Sequence, residues 1–191
     1  MNPIDQFSAW LQNAKDHPAI IEPTAMTLAT ATADGKPSAR IVLLKAHDER
    51  GFVFYTNLES RKSSEIKQNP NAALCFYWMA LERQVRIEGV VEPMTDTEAD
   101  TYFASRPRAS QIGAWSSKQS RPLTSREELE QRIVANTDKF KGNAVPRPDF
   151  WSGWRIIPQR IEFWQQIEFR LHDRQVFTSK NGVWSTEKLY P

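Results

Sequence analysis

The chain is poor in cysteine, histidine and glycine, with one, three and seven of them in 191 residues. Each shortage removes a class of protein. The lone Cys75 excludes an intramolecular disulfide, and no Cys/His spacing marks zinc, so no metal is expected. Cys75 stands in the apolar run 72–78 and reads as a small buried hydrophobe. There is no Gly-x-Gly-x-x-Gly and no Walker-type loop, so a glycine turn is not what would hold a nucleotide. No run approaches the roughly 18 apolar residues that span a bilayer. Residues 1–15 lack the basic-then-apolar order of a signal peptide. A cytoplasmic protein without a membrane partner is the expectation. The net charge of +2 is too small to argue for nucleic acid, so any anion site must come from local clustering.

Aromatic residues are plentiful. Seven Trp and ten Phe imply a well-packed interior and surfaces able to stack flat ligands. With 40% hydrophobic and 25% charged residues, the composition is that of a soluble globular domain spanning residues 1–191.

Pro3 and Asp5 open a helix whose apolar positions Ile4, Phe7, Trp10 and Leu11 keep helical spacing. Strands are expected at 24–32, 40–45 and 52–56, with turns at Asp34-Gly35 and at 48–51. A short helix at 60–68 is stopped by Asn69-Pro70-Asn71, and strands follow at 72–79 and 83–92. Capping boxes beginning at Thr95 and Ser125 open helices to about 105 and 141. After a loop at 143–149, strands are expected at 151–157, 160–165, 174–178 and 183–188, with Asn181-Gly182 turning the last hairpin. The order is strands, helices, strands, without βαβ alternation. It predicts an α+β chain, mainly β: an antiparallel barrel decorated with helices.

The densest chemistry is Arg170-Leu171-His172-Asp173-Arg174. On a strand, residues 170, 172 and 174 would share one face, and two guanidiniums with an imidazole make an anion-reading surface. Ser60-Arg61-Lys62 at a helix start offers free amides and two cations, a phosphate cradle. Read alone, Arg61-Lys62 is a solvated pair. Arg40 and Lys45 bracket a strand and, five residues apart, would face opposite sides. Tyr102 and Arg106 lie at i and i+4, with Ser110 one turn on if the helix survives Pro107. Gln84 and Gln119 can address a heteroaromatic edge. Asp96, Glu98 and Asp100 complement a helix dipole, and His17 and His47 read as solvated.

Taken in order, these segments resemble the pyridoxamine/pyridoxine 5′-phosphate oxidase family. The resemblance rests on Arg-Ile-Val-Leu-Leu-Lys (40–45), Phe-Tyr-Thr-Asn (54–57), Ser-Arg-Lys (60–62) and Leu-Glu-Arg-Gln-Val (81–85). It continues through residues 102–115, Ser-Lys-Gln-Ser (117–120), Ile-Glu-Phe-Trp-Gln (161–165) and Arg-Leu-His-Asp-Arg (170–174). It implies a split β-barrel that dimerises, with FMN in clefts at the subunit interface. Residues 1–20 would form an N-terminal helical part and 150–191 a dimerisation and substrate region.

The resemblance places FMN on Arg40, Ile41, Val42, Leu43, Leu44, Lys45, Tyr55, Thr56, Arg61, Lys62, Gln84, Gln119, Ser120, Trp164 and Arg174. It places the vitamin phosphate on Lys45, Tyr102, Arg106 and Ser110, and the pyridine ring on Arg170, Leu171 and His172, with Arg170 and His172 at the reacting substituent. The implied reaction oxidises pyridoxamine or pyridoxine 5′-phosphate to pyridoxal 5′-phosphate, with dioxygen reoxidising the flavin to give hydrogen peroxide. Two departures bear on substrate handling. The chain begins almost at the first helix, where the family carries a closing arm, so either enclosure is less complete or the true start lies upstream of residue 1. Gln166-Ile167 stand where the family has Gly-Gly, so the turn presenting Arg170 is expected to differ. A non-catalytic pyridoxal-phosphate or flavin binder and a flavin reductase with another substrate use the same cradles. The intact Tyr102/Arg106/Ser110 and Arg170/His172 sets disfavour the reductase.

Overall fold

In the computed structural model, which describes residues 2–191, helix α1 (Pro3–Asp16) leads to strands β1 (Ala25–Ala31), β2 (Pro37–Leu43), β3 (Ala46–Asp48) and β4 (Gly51–Asn57). Helix α2 (Arg61–Gln68) precedes β5 (Asn71–Trp78) and β6 (Arg83–Pro93). Helices α3 (Asp96–Ser105), α4 (Arg108–Ser116) and α5 (Arg126–Lys139) are followed by β7 (Trp151–Gln165), β8 (Asp173–Lys180) and β9 (Val183–Lys188).

All pairings are antiparallel, in the order β2-β1-β5-β6-β7-β4-β3, with β8 on β7 and β9 on β8. The sheet splits at β7. One edge of β7 pairs with β6 from Trp154 to Gln165. The other edge pairs with β4 from Trp151 to Ile156 and with β8 from Arg160 to Gln165. Pro158, which has no N–H to offer a ladder, falls in the gap between β4 and β8. Opposite it, the β6 register shifts between Glu88 and Gly89. A Cβ on Gly89 would lie 2.0 Å from the Ile157 carbonyl oxygen, so only glycine allows this close crossing. The curled, split sheet with flanking helices agrees with the expected architecture.

Period-two burial builds the core. Met26 and Leu28 of β1, Val85 and Ile87 of β6, and Ile161 and Phe163 of β7 point inward. Helix α1, capped by the Asn2 side chain on the Ile4 amide, closes one end with Ile4, Phe7, Leu11 and Ala14. The Phe7 ring meets Phe52 and Phe76 edge-on at 4.9 and 5.1 Å. A second, smaller core of Phe103, Ile112, Phe140, Val145 and Trp151 lies under α3–α5. Both expected capping residues are in place: Thr95 exchanges bonds with Glu98, and Ser125 accepts from the Glu128 amide. Cys75 is half-buried, and burial pushes its thiol pKa up. No helix among the described residues is long and apolar enough to cross a membrane.

Five expectations need correction. Residues 151–157 and 160–165 form one strand, because a bulge at Gln159, the extra residue between the Pro158–Gly89 and Arg160–Glu88 pairs, lets the ladder continue past Pro158. Tyr102 and Arg106 do not share a helix face: Arg106 is the extended residue after α3 (φ −73°, ψ 148°), and Pro107 starts the separate helix α4 that carries Ser110. Lys45 lies beyond the end of β2, so the opposite-faces argument from Arg40 does not apply. Residues 170, 172 and 174 do not share a strand face, since Glu168–Arg170 is a 3-10 turn with Phe169 and Arg170 at φ 57° and 63°, and β8 begins at Asp173. His47 is not simply solvated. It packs edge-on against Phe7 at 5.0 Å, lies 2.8 Å from Ser8 Oγ, and burial lowers its pKa.

Candidate functional site

A cavity of about 550 Å³ opens between β4, the end of β2 and helices α3 and α4. Its lining gathers Leu43, Lys45, Tyr55, Thr56, Tyr102, Arg106, Ser110 and Gln119 from the expected set, and adds Asn57 and Trp151. Two hydrogen bonds tie the loop after α4 to β4. Thr56 Oγ1 donates to Gln119 Oε1 at 2.9 Å, and Asn57 Nδ2 donates to the Ser117 carbonyl at 3.4 Å.

Lys62 reaches this region from the first turn of α2. It is 8% exposed, and its ammonium donates to Thr56 Oγ1, Ser60 Oγ and Gln119 Oε1 at 3.1, 3.2 and 3.0 Å. Burial, and then the nearby Arg40 charge, pull its pKa down to about 8. A buried ammonium with only neutral oxygen partners is poised for an anion. Arg106 has the same character. Its Nη1 is buried without a partner, its guanidinium carbon sits 4.6 Å over the Trp151 ring, and burial lowers its pKa.

Arg61 and Lys62 diverge. Arg61 lines a second hollow of about 510 Å³ with Glu65, Lys67, Ser120 and Arg121. Glu65, 3% exposed, binds Arg61 Nε at 2.8 Å and Arg40 Nη2 at 3.1 Å, and also accepts from Thr30 and Ser38. Desolvation pushes the Glu65 carboxyl up, but the bonds from Ser38, Thr30, Arg61 and Arg40 outweigh it and hold the pKa at about 2. Of the other residues at 40–45, Ile41 is exposed, Val42 packs against the core and Leu44 is buried in it.

A third group lies on the β6-β7-β8 face. Gln84 pairs with Trp164, and Trp164 with Arg174, so the three side chains point the same way. Arg174 is anchored on Glu162 at 2.9 Å and donates to the Tyr190 carbonyl at 3.0 Å. Glu162, 2% exposed, also binds Arg86 and Arg160. On the adjoining turn the His172 ring stands 4.7 Å from Trp164 and accepts the Ile167 amide on Nδ1, while Leu171 is exposed. The departure at 166–167 is met by Gln166, which bonds Glu82 through its backbone and side chain; the positive φ values fall at Phe169 and Arg170 instead. None of Gln84, Trp164, Arg170, Leu171, His172 or Arg174 lines the first cavity.

Sequence reasoning missed Glu65, Glu162 and Trp151. Glu65 was visible as the i+4 partner of Arg61, and Glu162 as a lone charge between Ile161 and Phe163. Nothing local marks Trp151.

A split antiparallel sheet with a cation-lined cleft beside its splitting strand is the architecture of the split-barrel oxidoreductases. Residues 13–138 match the family model described as pyridoxamine 5′-phosphate oxidase, and residues 151–191 match the pyridoxine 5′-phosphate oxidase C-terminal dimerisation region. The chain is 56% identical over 190 residues to the pyridoxine/pyridoxamine 5′-phosphate oxidase of Myxococcus xanthus strain DK1622, covering 100% of this chain and 92% of that protein. It is 55% identical to the enzyme of the same name from Rubrobacter xylanophilus, covering 100% and 87%. Among solved structures it is similar to PhzG from Burkholderia lata 383 in complex with tetrahydrophenazine-1-carboxylic acid, with TM-score 0.94 at 33% identity, covering 100% of this chain and 93% of that one. The chain belongs to the pyridoxamine 5′-phosphate oxidase family, and it is an oxidase.

Proposed function

We propose that the chain is an FMN-dependent oxidase converting pyridoxamine 5′-phosphate and pyridoxine 5′-phosphate to pyridoxal 5′-phosphate, with dioxygen as acceptor and hydrogen peroxide released; from the amine, water then hydrolyses the oxidised C–N bond and ammonia leaves. It works as a homodimer in which residues 1–191 act as one unit and 150–191 supply dimerisation and substrate contacts. The observation that carries this reading is the pair Lys62 and Arg106, a buried ammonium and a half-buried guanidinium beside one cleft, neither with a carboxylate in salt-bridge range among the described residues. A flavin phosphate and a vitamin phosphate need two such cradles.

The donor set fits FMN. Arg61, Lys62 and Ser120 would hold its phosphate, with Arg40 behind them on Glu65; Tyr55, Thr56, Gln119 and the backbone of 40–45 would follow its length. Gln84, Trp164 and Arg174 lie outside this cavity, so the second copy would supply them. Bound FMN supplies the two-electron acceptor that dioxygen regenerates. Lys45, Tyr102, Arg106 and Ser110 would grip the substrate phosphate. Arg170 and His172 would orient the pyridine ring, with Leu171 against it, and His172 would hold or move a proton at the reacting substituent.

The test is direct. The purified protein should show bound-flavin absorbance and yield peroxide and aldehyde from either phosphorylated vitamer. Bound flavin without turnover of either one would overturn the reading. The likeness to PhzG supports a second one, oxidation of a fused-ring carboxylic acid. Turnover of such an acid, with none of the vitamers, would select it.

A further inference from the structure

Three arginines of the candidate site are ion-paired: Arg40 and Arg61 on Glu65, and Arg174 on Glu162. Arg106 is held differently. Among the described residues no carboxylate lies within salt-bridge range; its guanidinium stacks 4.6 Å over Trp151 and 5.5 Å from Phe103, and Nη1 is buried with no partner among them. We infer that Trp151 is a positioning residue, its indole face seating the Arg106 guanidinium for the substrate phosphate without neutralising it. The inference rests on the proposed reading of Arg106 as a phosphate ligand.

The two kinds of partner differ in what they leave free. A carboxylate occupies the N–H edge and cancels the charge, so an arriving phosphate must compete with it. A ring face attracts the cation through its quadrupole and leaves the planar fork of N–H donors open. The indole is itself fixed. Trp151 is 6% exposed and meets Phe103 at 5.0 Å and 70°. It lies nearly parallel to Tyr55 at 5.4 Å and 9°, and to Tyr102 at 6.2 Å and 5°. Gly153 makes this possible, since a Cβ there would come within 2.8 Å of the Tyr55 ring. A guanidinium laid on a clamped ring is ordered before ligand arrives, which lowers the entropic cost of binding.

The experiment is a double-mutant cycle on the holoenzyme with Trp151→Leu and Arg106→Ala, read by steady-state kinetics and by competitive inhibition with inorganic phosphate. Trp151→Leu should raise KM for pyridoxamine 5′-phosphate about tenfold, with kcat within about twofold, and weaken inhibition by inorganic phosphate by a similar factor. In the Arg106→Ala background the same change should add almost nothing. Trp151→Phe, which keeps a ring face, should recover most of the loss; if Trp151→Leu does not fold, Trp151→Met, which also lacks a ring, takes its place in the cycle. Unchanged KM, a loss confined to kcat, or full additivity with Arg106→Ala would overturn the inference. If Arg106→Ala itself left KM and phosphate inhibition unaltered, the proposed phosphate site would fall, and this inference with it.

Discussion

Glu65 is the residue on which most of the cationic wall turns. It is buried on α2 and ties Arg61 of its own helix to Arg40 of β2, so one carboxylate joins two elements. Its folded pKa of about 2 is depressed from the ordinary 4.5, so the stabilisation is present above about pH 4.5 and lost as pH falls toward 2. Glu65→Gln is expected to flatten that acid limb, and urea midpoints from pH 3 to 6 would reveal it. Lys62 shifts the other way. Burial and Arg40 disfavour its charged form and bring its pKa down to about 8. A phosphate ester is already a dianion there. Apoprotein affinity for FMN should therefore fall as pH rises through about 8, and Lys62→Arg should remove the dependence; flavin-fluorescence titration reads both. The two cations were legible as an Arg-Lys pair at a helix start. Their divergence was not, because only the fold decides that one meets Glu65 and the other Gln119.

At the scale of elements, α1 and β7 bear the most. Phe7 is fully buried between Phe52, Phe76 and Trp78, and Phe7→Ala should cost about 3–5 kcal/mol in denaturant unfolding. Gly89→Ala would drive a methyl into the Ile157 carbonyl. A loss of about 2–4 kcal/mol is expected, or a slipped β6–β7 register, visible as altered amide exchange along β6. Helical spacing, capping boxes and strand alternation were readable because each is a local property of the chain. The continuity of β7 was not, since Pro158 looks like a breaker until the bulge beside it at Gln159 and its pairing with Gly89 are known. The helix at Arg108–Ser116 escaped for a related reason: Pro107 both ends one segment and opens the next.

For the whole molecule, the expected site residues fall into groups that one chain does not bring to a single cavity. Arg106 lines the cleft, whereas Arg170 and His172 sit on the turn before β8. In the proposed dimer each site takes one group from either copy. At substrate well below the wild-type KM, Arg106→Ala and Arg170→Ala are each expected to lose most of their activity, yet refolded together should recover about a quarter of the wild-type rate, because every heterodimer keeps one intact site. No recovery in the mixture would count against shared sites. The motifs made the residue sets readable in one dimension; their separation within one chain is a matter of shape that no spacing encodes.

Strand β7 runs from Trp151 to Gln165, a span of roughly 45 Å along the backbone. In the dimer its first residues would wall one chamber and its last the other, like a beam built into two rooms. Retilting that beam to admit a bulkier guest in one room would disturb the opposite one. Altered substrate choice is therefore most freely written into α3 and α4, which border a single chamber and can drift without dragging its twin.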